Sequence, residues 1–482
     1  MRPARLLTMS KTNFLFILID DLGCRDLTSF GSTFYETPRL DRLAAEGMRF
    51  ERAYASCPVC SPTRASIMSG KYPAHVGITQ WIGGHSEGKL LDVPYLHYLP
   101  LEEKSLASAL RDGGYQTWHV GKWHLGDEPF YPEHHGFDVN IGGCHSGQPG
   151  KDGYFSPYNV PVSPGPEGEY LTDRLTDEAI RLVRERDQSR PFFLHLSHYA
   201  VHTPLAAPAA LVEKYERKAR KMGLDQRDPL VKGENFACLH KQEQQITRRV
   251  FQSHAVYAAM IENLDWNIGR LLDALRAAGL EDDTLVIFTS DNGGLATAEG
   301  SPTCNFPFSE GKGWTYEGGT RVCQLARWPG VIAPRSSCAT PVTSTDFYPT
   351  LLEAAGLPLL PQQHSDGTSL LPLFKGAEKL AREAIFWHYP HYSNQGGTPA
   401  ASVVCGAWKL ILNFEDNLVE LFNLDFDPGE KNNLAAAEPQ RAAHMLKLLK
   451  DWQTSIEARI PEPNPDYEAR RIRPGIPNNA HE

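Results

Sequence analysis

The sequence has no long hydrophobic run. Its apolar stretch near the start, residues 14–19, has the length of a β-strand and is too short to span a bilayer, and no repeat of fixed period is present. Positive charge is also scarce, because 48 Lys and Arg against 58 Asp and Glu give a formal net charge of −10. This balance argues against a broad nucleic-acid-binding surface. We therefore expect a soluble globular protein with neither a membrane nor a nucleic acid as partner.

Cysteine is sparse as well. Nine cysteines scattered over 482 residues do not resemble a disulfide framework, so most are expected to be buried thiols. Cys57 and Cys60 have the C-x-x-C spacing of redox and zinc sites. A zinc site needs a second ligand pair, and the sequence has no second C-x-x-C or close His pair. A thioredoxin-like site is only somewhat less disfavoured, and we expect a structural role for Cys57.

The first residues, MRPARLLTMSK, carry positive charge but no apolar segment with a small-residue cleavage site. No signal peptide is visible, so the sequence as given predicts a cytoplasmic protein, and a periplasmic or secreted one if a leader is missing. No pattern in the sequence indicates an oligomeric state.

Buried strands alternate with helices along residues 11–375. Strands are predicted at 13–19, 115–120, 191–197 and 284–290, and helices at 37–47, 103–111, 171–186 and 253–278. The alternation predicts an α/β domain with a large, mostly parallel central sheet flanked by helices. Its chain length also leaves room for a second, smaller domain.

The pattern changes after a Pro-rich segment near residue 358. Short strands are predicted at 384–387, 408–412 and 419–422, followed by a helix over 439–458. We expect residues 376–482 to form a C-terminal antiparallel sheet with one helix, ending in an irregular tail from residue 461.

Polar residues follow four of the predicted strands, in the order Asp20-Asp21, Lys122 with His124, His202, and Asp291-Asn292. Ligands of parallel α/β sheets bind outside the carboxyl ends of the strands, so we expect these side chains at one edge. An isolated Asp-Asn-Gly is ordinarily only a turn. Here two strands end in the same way, and their all-oxygen side chains suit a hard cation such as Ca²⁺ or Mg²⁺ better than zinc.

Cys60 begins the segment Cys60-Ser61-Pro62-Thr63-Arg64. Pro62 suits the first turn of a helix over 63–68, so Cys60 is expected near a helix N-terminus, where free N–H groups attract anions. Arg64 would add positive charge one turn later, although a surface cation is the simpler role for an arginine considered alone. The arrangement suits cleavage of an anionic ester.

This segment, which closes with Ser69-Gly70, resembles the sulfatase motif C-x-P-S-R with its trailing T-G, whose cysteine is oxidised after synthesis to formylglycine. Thr63 and Ser69 each exchange one hydroxyl residue for another. Further motifs of the type I sulfatase family, within the alkaline-phosphatase-like superfamily, follow in family order over nearly the whole chain: IDDLG from Ile19, GKWHLG from Gly121, HTP from His202, SDNGG from Ser290 and GKGWTYEGG from Gly311.

The resemblance implies an alkaline-phosphatase-like fold and a sulfuric ester hydrolase of the arylsulfatase or carbohydrate-sulfatase type. It implies one divalent ion, usually Ca²⁺ with Mg²⁺ as the alternative, held by Asp20, Asp21, Asp291, Asn292 and the modified Cys60. A formylglycine-generating enzyme is the implied maturation partner.

The same resemblance implies the roles of the other site residues. An oxygen of the hydrated aldehyde attacks sulfur, while three cations hold the sulfate oxygens: Arg64, Lys122 and Lys312. His202 protonates the leaving alkoxide, and His124 takes the remaining hydroxyl proton so that sulfate leaves. Both lysines are embedded in Gly-rich loops, which bring backbone close to ligands, whereas an isolated His is more often structural.

The substrate is predicted to be a sulfated small molecule or oligosaccharide, with a carbohydrate favoured. Aromatic and polar residues interleave at 81–85 and 387–397, which suits a sugar, and an inter-domain interface explains them equally well. One alternative is a phosphomonoesterase or phosphodiesterase of the same superfamily, disfavoured because Cys60 stands at the nucleophile position. Another is a non-catalytic sulfated-glycan-binding protein, if Cys60 stays a thiol.

Overall fold

The computed structural model describes residues 12–468. Within that range the strands are β1 (Asn13–Ile19), β2 (Met48–Tyr54), β3 (Gln116–Gly121), β4 (Val139–Ile141), β5 (Phe192–Ser197), β6 (Leu230–Asn235), β7 (Gln245–Arg249), β8 (Thr284–Ser290), β9 (Arg321–Arg327), β10 (Ser336–Cys338), β11 (Val342–Thr343), β12 (Ile385–Tyr389), β13 (Ala400–Cys405), β14 (Trp408–Asn413) and β15 (Val419–Asn423). The helices are α1 (Pro38–Glu46), α2 (Cys60–Ser69), α3 (Pro73–Val76), α4 (Leu106–Asp112), α5 (Leu171–Glu185), α6 (Ala209–Lys221), α7 (Ala255–Ala277), α8 (Glu317–Thr320), α9 (Phe347–Ala354), α10 (Leu371–Phe374) and α11 (Pro439–Ser455).

The main sheet has the order β10-β2-β9-β8-β1-β5-β3-β4, and β11 also pairs with β2. Its pairs are parallel except those of β9, which runs antiparallel to both β2 and β8. The predicted α/β fold with a large, mostly parallel sheet is confirmed. Five further strands of this sheet were not predicted from the sequence: β2, β4, β9, β10 and β11.

The central strand β1 is buried on both faces because helices cover both faces of this sheet. Leu15, Ile17 and Ile19 pack on one face in a core shared with α5 and α7. Phe14 and Phe16, with Leu18, pack on the other face in a core shared with α2, α4 and α9. A run of apolar residues without alternation is the pattern expected of such a strand.

The four strands that the sequence analysis linked to polar residues are neighbours. β8, β1, β5 and β3 stand side by side and run parallel. Their carboxyl ends therefore open at one edge of the sheet, where the site lies.

The helix α2 follows β2 and enters this edge. It begins at Cys60, three residues before the predicted range of 63–68, and it is buried along its whole length. No side chain caps its N-terminus, so its first backbone N–H groups remain available in front of Cys60.

The second sheet has the order β12-β13-β14-β15 and is antiparallel. One face packs on α11, and the other meets the main domain, with Tyr54 and Tyr72 packed among Trp387, Ile411 and Phe422. The predicted small antiparallel sheet with one helix is confirmed, with β13 as a further strand. The predicted limits of 11–375 and 376–482 remain predictions.

The buried ion cluster at this interface joins the second sheet to the loop region of the main sheet. Nζ of Lys409 on β14 lies 3.0 Å from Glu317 at the start of α8 and 2.9 Å from Glu430. All three side chains are fully buried. A lone charge left here would be costly, so the cluster fixes how the two sheets meet.

Other expectations concern the chain ends and the cysteines. Residues 1–11 and 469–482 lie outside the described residues, and with them the segment searched for a signal peptide and most of the predicted irregular tail. The nine cysteines are free thiols, buried except for Cys405.

Among residues 12–468 no helix combines the length and apolarity needed to cross a membrane.

Candidate active site

The ends of β1 and β8 are tied together by their polar residues. The backbone N–H of Asp21 donates to Oδ1 of Asp291 over 3.2 Å, and Nδ2 of Asn292 donates to Oδ1 of Asp21 over 2.9 Å. Asp21 has a φ of +60°, a left-handed conformation that is uncommon outside glycine. The turn after β1 thereby presents Asp20 and Asp21 together.

Two buried lysines neutralise these carboxylates. Nζ of Lys122 donates to Asp20 over 2.7 Å, and Nζ of Lys312 lies 2.8 Å from Asp21. The Lys312 loop touches the connection between β12 and β13, since a Cβ on Gly313 would lie 1.9 Å from Oγ of Ser393. Glycine at position 313 therefore permits the close approach of these two loops.

Arg64 is anchored in the interior rather than at a helix surface. Its Nε and Nη2 donate to Oδ2 of Asp291 over 2.9 and 2.7 Å. Its Nη1 donates to Oγ of Ser197 over 2.6 Å and to the carbonyl of Lys122 over 3.0 Å. Ser197, the last residue of β5, carried no motif that would have identified it from the sequence.

His124 faces Cys60. Its Nδ1 lies 3.3 Å from Sγ of Cys60, and its Nε2 lies 3.2 Å from the carbonyl oxygen of Ile82. Because a carbonyl only accepts, Nε2 carries the proton and Nδ1 is the basic nitrogen. Burial, together with the charge of Lys122, holds the pKa of His124 well below its usual range, so the ring is neutral and its Nδ1 is unprotonated.

His202 lies on the other side of the site. Its Nδ1 donates to the carbonyl of its neighbour Thr203, and its Nε2 lies 3.0 Å from Nζ of Lys312. Burial and the charge of Lys312 lower the pKa of His202 to about 4. The Nε2 of this histidine is thus the nitrogen left for a ligand.

Two buried oxygens in this group have no hydrogen-bond partner among residues 12–468: Oδ1 of Asp20 and Oδ1 of Asn292. Such orphaned oxygens cost free energy. Burial raises the pKa of Asp20 well above its usual range although Lys122 opposes it. Ligand atoms of Asp20, Asp21 and His202 lie within 4.8 Å of one another. A hard divalent cation would satisfy both oxygens and offset the crowding of carboxylates, so the donor set fits such an ion.

A protein-family model described as Sulfatase matches residues 12–357, which is more than half of the chain. The chain belongs to the sulfatase family. A second model, described as N-sulphoglucosamine sulphohydrolase, C-terminal, matches residues 309–457.

Individual relatives agree with this assignment. A sulfatase from Formosa agariphila is 32% identical over 92% of this chain and 88% of that protein. N-acetylgalactosamine-6-sulfatase from Sus scrofa is 31% identical over 91% of this chain and 79% of that protein. The crystal structure of Ps i-CgsB in complex with k-i-k-neocarrahexaose has a TM-score of 0.75 and 27% identity, covering 95% of this chain and 96% of that chain. This sulfatase is accordingly a sulfuric ester hydrolase.

A cavity of about 590 Å³ opens above the site of the sulfatase. Four of the residues that the sequence analysis singled out line it: Cys60, His124, His202 and Lys312. The other predicted residues lie buried around them: Asp20, Asp21, Arg64, Lys122, Asp291 and Asn292. The structure thus brings all of the predicted site residues together.

The aromatic stretch of the second sheet is an interface rather than a sugar surface. Trp387 is buried and donates from Nε1 to the carbonyl of Ala55, and Tyr389 donates to Oε1 of Gln80. Asn394 and Gln395, from the same stretch, do line the cavity. The interface explanation therefore applies to Trp387 and Tyr389, whereas Asn394 and Gln395 are placed to contact a sugar.

Several cavity residues were not identified from the sequence. They lie on connecting loops without periodic pattern: residues 145–150, Asn159 and Glu299. Cys57, by contrast, packs with Val59 and Tyr389 in a small apolar cluster. Its surroundings match the structural role expected for it.

Proposed function

We propose that this sulfatase hydrolyses the sulfate esters of carbohydrates. The reaction uses a formylglycine made from Cys60 together with one divalent cation, for which Ca²⁺ is favoured over Mg²⁺. The observation that carries the proposal is the 3.3 Å distance between Sγ of Cys60 and the basic Nδ1 of His124, at the uncapped N-terminus of α2 and facing the cavity. A formylglycine-generating enzyme is the maturation partner that this chemistry requires.

The proposed formylglycine supplies a hydrated aldehyde, with one hydroxyl to attack sulfur and a second through which sulfate is later released. The chain positions that group in two ways. Free N–H groups of α2 and the guanidinium of Arg64 give the pocket a positive potential for the sulfate. His124, neutral and facing position 60, accepts the proton of the second hydroxyl.

The proposed cation would be held by oxygens of Asp20, Asp21, Asp291 and Asn292. It would lower the pKa of the attacking hydroxyl and draw electron density from a sulfate oxygen. The two orphaned oxygens of Asp20 and Asn292 support this assignment. Lys122 contacts Asp20 and Lys312 contacts Asp21. In the proposed complex each lysine would also donate a hydrogen bond to a sulfate oxygen.

The departing alcohol is assigned to the His202 side of the cavity. Nδ1 of His202 is fixed by the carbonyl of Thr203, so the ring can deliver a proton only from Nε2. An anionic sulfate beside Lys312 would raise the low pKa of His202 and favour the protonated ring. Binding of the sulfate ester would therefore itself favour the protonated form of His202 that the cleavage needs.

A carbohydrate is proposed because the cavity is lined mostly by polar side chains. Its hydrogen-bonding residues include Gln148, Asn159, Asn394 and Gln395, and Trp81 is the single Phe, Tyr or Trp among the described lining residues. Amides of this kind recognise hydroxyls. The complex of Ps i-CgsB with k-i-k-neocarrahexaose supports a sugar ligand for a protein of this architecture.

The test uses protein from its native source. Mass spectrometry of the tryptic peptide 53–64 should show the aldehyde at position 60 and an unchanged thiol at Cys57, which serves as internal control. Sulfate release from sulfated sugars should accompany the aldehyde and be abolished by Cys60→Ala. A thiol at position 60 with full activity would overturn the formylglycine mechanism. A thiol without activity but with glycan binding would indicate a binding protein.

A further inference from the structure

One carboxylate faces the cavity without belonging to the reacting groups. Oε1 of Glu299 accepts a hydrogen bond from Nε2 of Gln395 over 2.6 Å, and Oε2 accepts one from Oγ1 of Thr203 over 2.9 Å. Glu299 is nevertheless exposed to solvent. A carboxylate has room for about four hydrogen bonds, so about half of its capacity remains for a ligand.

Its position is on the side of the departing alcohol. Thr203 follows His202, the residue proposed to protonate that alcohol, and Nε2 of His202 lies 3.0 Å from Lys312. Desolvation alone would raise the pKa of Glu299, but the positive charge of Lys312, together with the hydrogen bonds to the carboxylate, outweighs it and lowers that pKa. Glu299 is therefore ionised at neutral pH.

The backbone of Glu299, which lines the cavity, has an uncommon conformation. Glu299 has a φ of +53°, a left-handed conformation that side-chain-bearing residues rarely adopt. Two fixed donors hold the carboxylate from both sides. An unusual backbone conformation combined with two anchoring donors indicates a defined position rather than a freely moving surface residue.

The rest of the lining offers little to a second anion. Among the described residues, Lys312 is the single lysine or arginine that lines the cavity. The nearby Lys241 donates to the carbonyl of Asn394 over 2.9 Å. Because the cleaved ester is proposed to engage Lys312, an additional sulfate or carboxylate on the alcohol would meet the charge of Glu299 with no further lysine or arginine of the described lining to offset it.

We propose that Glu299 determines specificity for the alcohol: it selects sulfated sugars that present hydroxyl or ammonium groups beside the cleaved ester, and it discriminates against sugars with a second sulfate or a carboxylate there. The inference rests on the proposed carbohydrate sulfatase function and deepens it. Hydroxyl or ammonium groups would donate to the free lone pairs of Glu299, whereas an anion would be repelled.

The test compares amino sugars that carry the same O-sulfate and differ only at nitrogen. Glucosamine and galactosamine O-sulfates are screened for the cleaved position, and the free amine, N-acetyl and N-sulfo forms are then compared by kcat/KM. Wild type should prefer the free amine over the N-sulfo form by at least about tenfold, as expected for a hydrogen bond to a charged group. Glu299→Gln should reduce this ratio by at least about tenfold.

A substrate without neighbouring groups separates specificity from a structural effect. With 4-nitrophenyl sulfate, Glu299→Gln should change kcat/KM by less than about threefold. Glu234→Gln, the same charge change on an exposed residue of β6 outside the cavity, should leave the ratio of the amino sugars unchanged. Glu299→Asp should retain part of the preference.

Four results would contradict the role proposed for Glu299 or the function on which it rests. Equal hydrolysis of the free amine and N-sulfo forms by wild type would overturn the proposal without any variant. An equal loss on every substrate in Glu299→Gln would make Glu299 structural. Absence of activity on 4-nitrophenyl sulfate and on all sugars would instead overturn the proposed function, and activity confined to 4-nitrophenyl sulfate would overturn only its carbohydrate part.

Discussion

Nδ1 of His124 lies 3.3 Å from the sulfur of Cys60. His202 makes no such contact and instead points Nε2 at Lys312. Two histidines in one site thus address different groups. We expect them to act in different halves of the reaction, His202 on the departing alcohol and His124 on the release of sulfate.

The first prediction separates these roles by leaving group. His202→Ala should lower kcat on sulfated sugars by roughly 10²–10⁴-fold, the range for loss of a general acid. It should lower kcat much less on 4-nitrophenyl sulfate, because nitrophenolate leaves without a proton. His124→Ala should give a burst of nitrophenol followed by slow turnover, measured by stopped-flow absorbance. A burst in the His202 variant and none in the His124 variant would reverse the assignment.

The second prediction concerns the cation. Chelation should abolish sulfate release and lower the melting temperature, and Ca²⁺ should restore both; ligand at about 100 times its Kd stabilises by about 2.7 kcal/mol. Asn292→Ala, which removes one of the two orphaned oxygens, should weaken Ca²⁺ binding by about tenfold or more. The measurement is a Ca²⁺ titration followed by differential scanning calorimetry, with Mg²⁺ in parallel. Indifference of activity and stability to chelator would contradict the proposal.

The third prediction concerns the interface of the two sheets. Lys409→Met leaves Glu317 and Glu430 buried without their shared cation, so the free energy of unfolding should fall by about 3–5 kcal/mol. Lys447→Met is the matched control, because Lys447 pairs with Asp451 at the surface, where such a pair contributes less than about 0.5 kcal/mol. Denaturant unfolding measures both. Similar losses in the two variants would count against the cluster at Lys409.

The fourth prediction concerns pH. Asp265 on α7 accepts hydrogen bonds from the backbone N–H groups of Arg39 and Leu40 at the start of α1. Burial raises the pKa of Asp265 from 3.8 to about 7. Between these values the folded protein keeps a proton that the unfolded chain releases. The contribution of this group to stability is thus complete below the lower value and is lost as pH rises to the upper one.

Asp265→Asn keeps the accepting oxygen and removes the titration. The difference in unfolding free energy between wild type and variant should therefore shift against wild type as pH rises through this window, by up to about 4 kcal/mol. Denaturant unfolding at a series of pH values measures it. Parallel curves for the two proteins would show that the proton is not held at Asp265.

Strands with continuous apolar runs were predictable from the sequence, and β8 has the bounds that were predicted. β2 was missed for a physical reason. A register shift between Phe50 and Ala53 interrupts its pairing with β9 and disturbs the alternation of apolar and polar residues. The six residues of β13, a short run of small and β-branched residues, carry no alternation that distinguishes a strand from a helix.

The residues of the site also fall into two groups, those that could be identified from the sequence and those that could not. Residues carried by strand ends and motifs were identified because each has a local pattern, as Asp20 and Lys122 show. Glu299 has none: its partners Thr203 and Gln395 are each 96 residues away along the chain. Only the folded structure brings three such distant loops into one wall, so no window of sequence could have indicated it.

The connection between β12 and β13 carries Asn394 and Gln395 to the cavity, whereas the reacting groups stand on the main sheet and its loops. Part of the cavity wall is thus encoded in a segment that can mutate separately from the reacting groups. A descendant of this chain could acquire a new substrate by exchanging that connection while its chemistry stays intact. The constraint on such exchange is the contact of Gly313 with Ser393, where a side chain at position 313 would have no room.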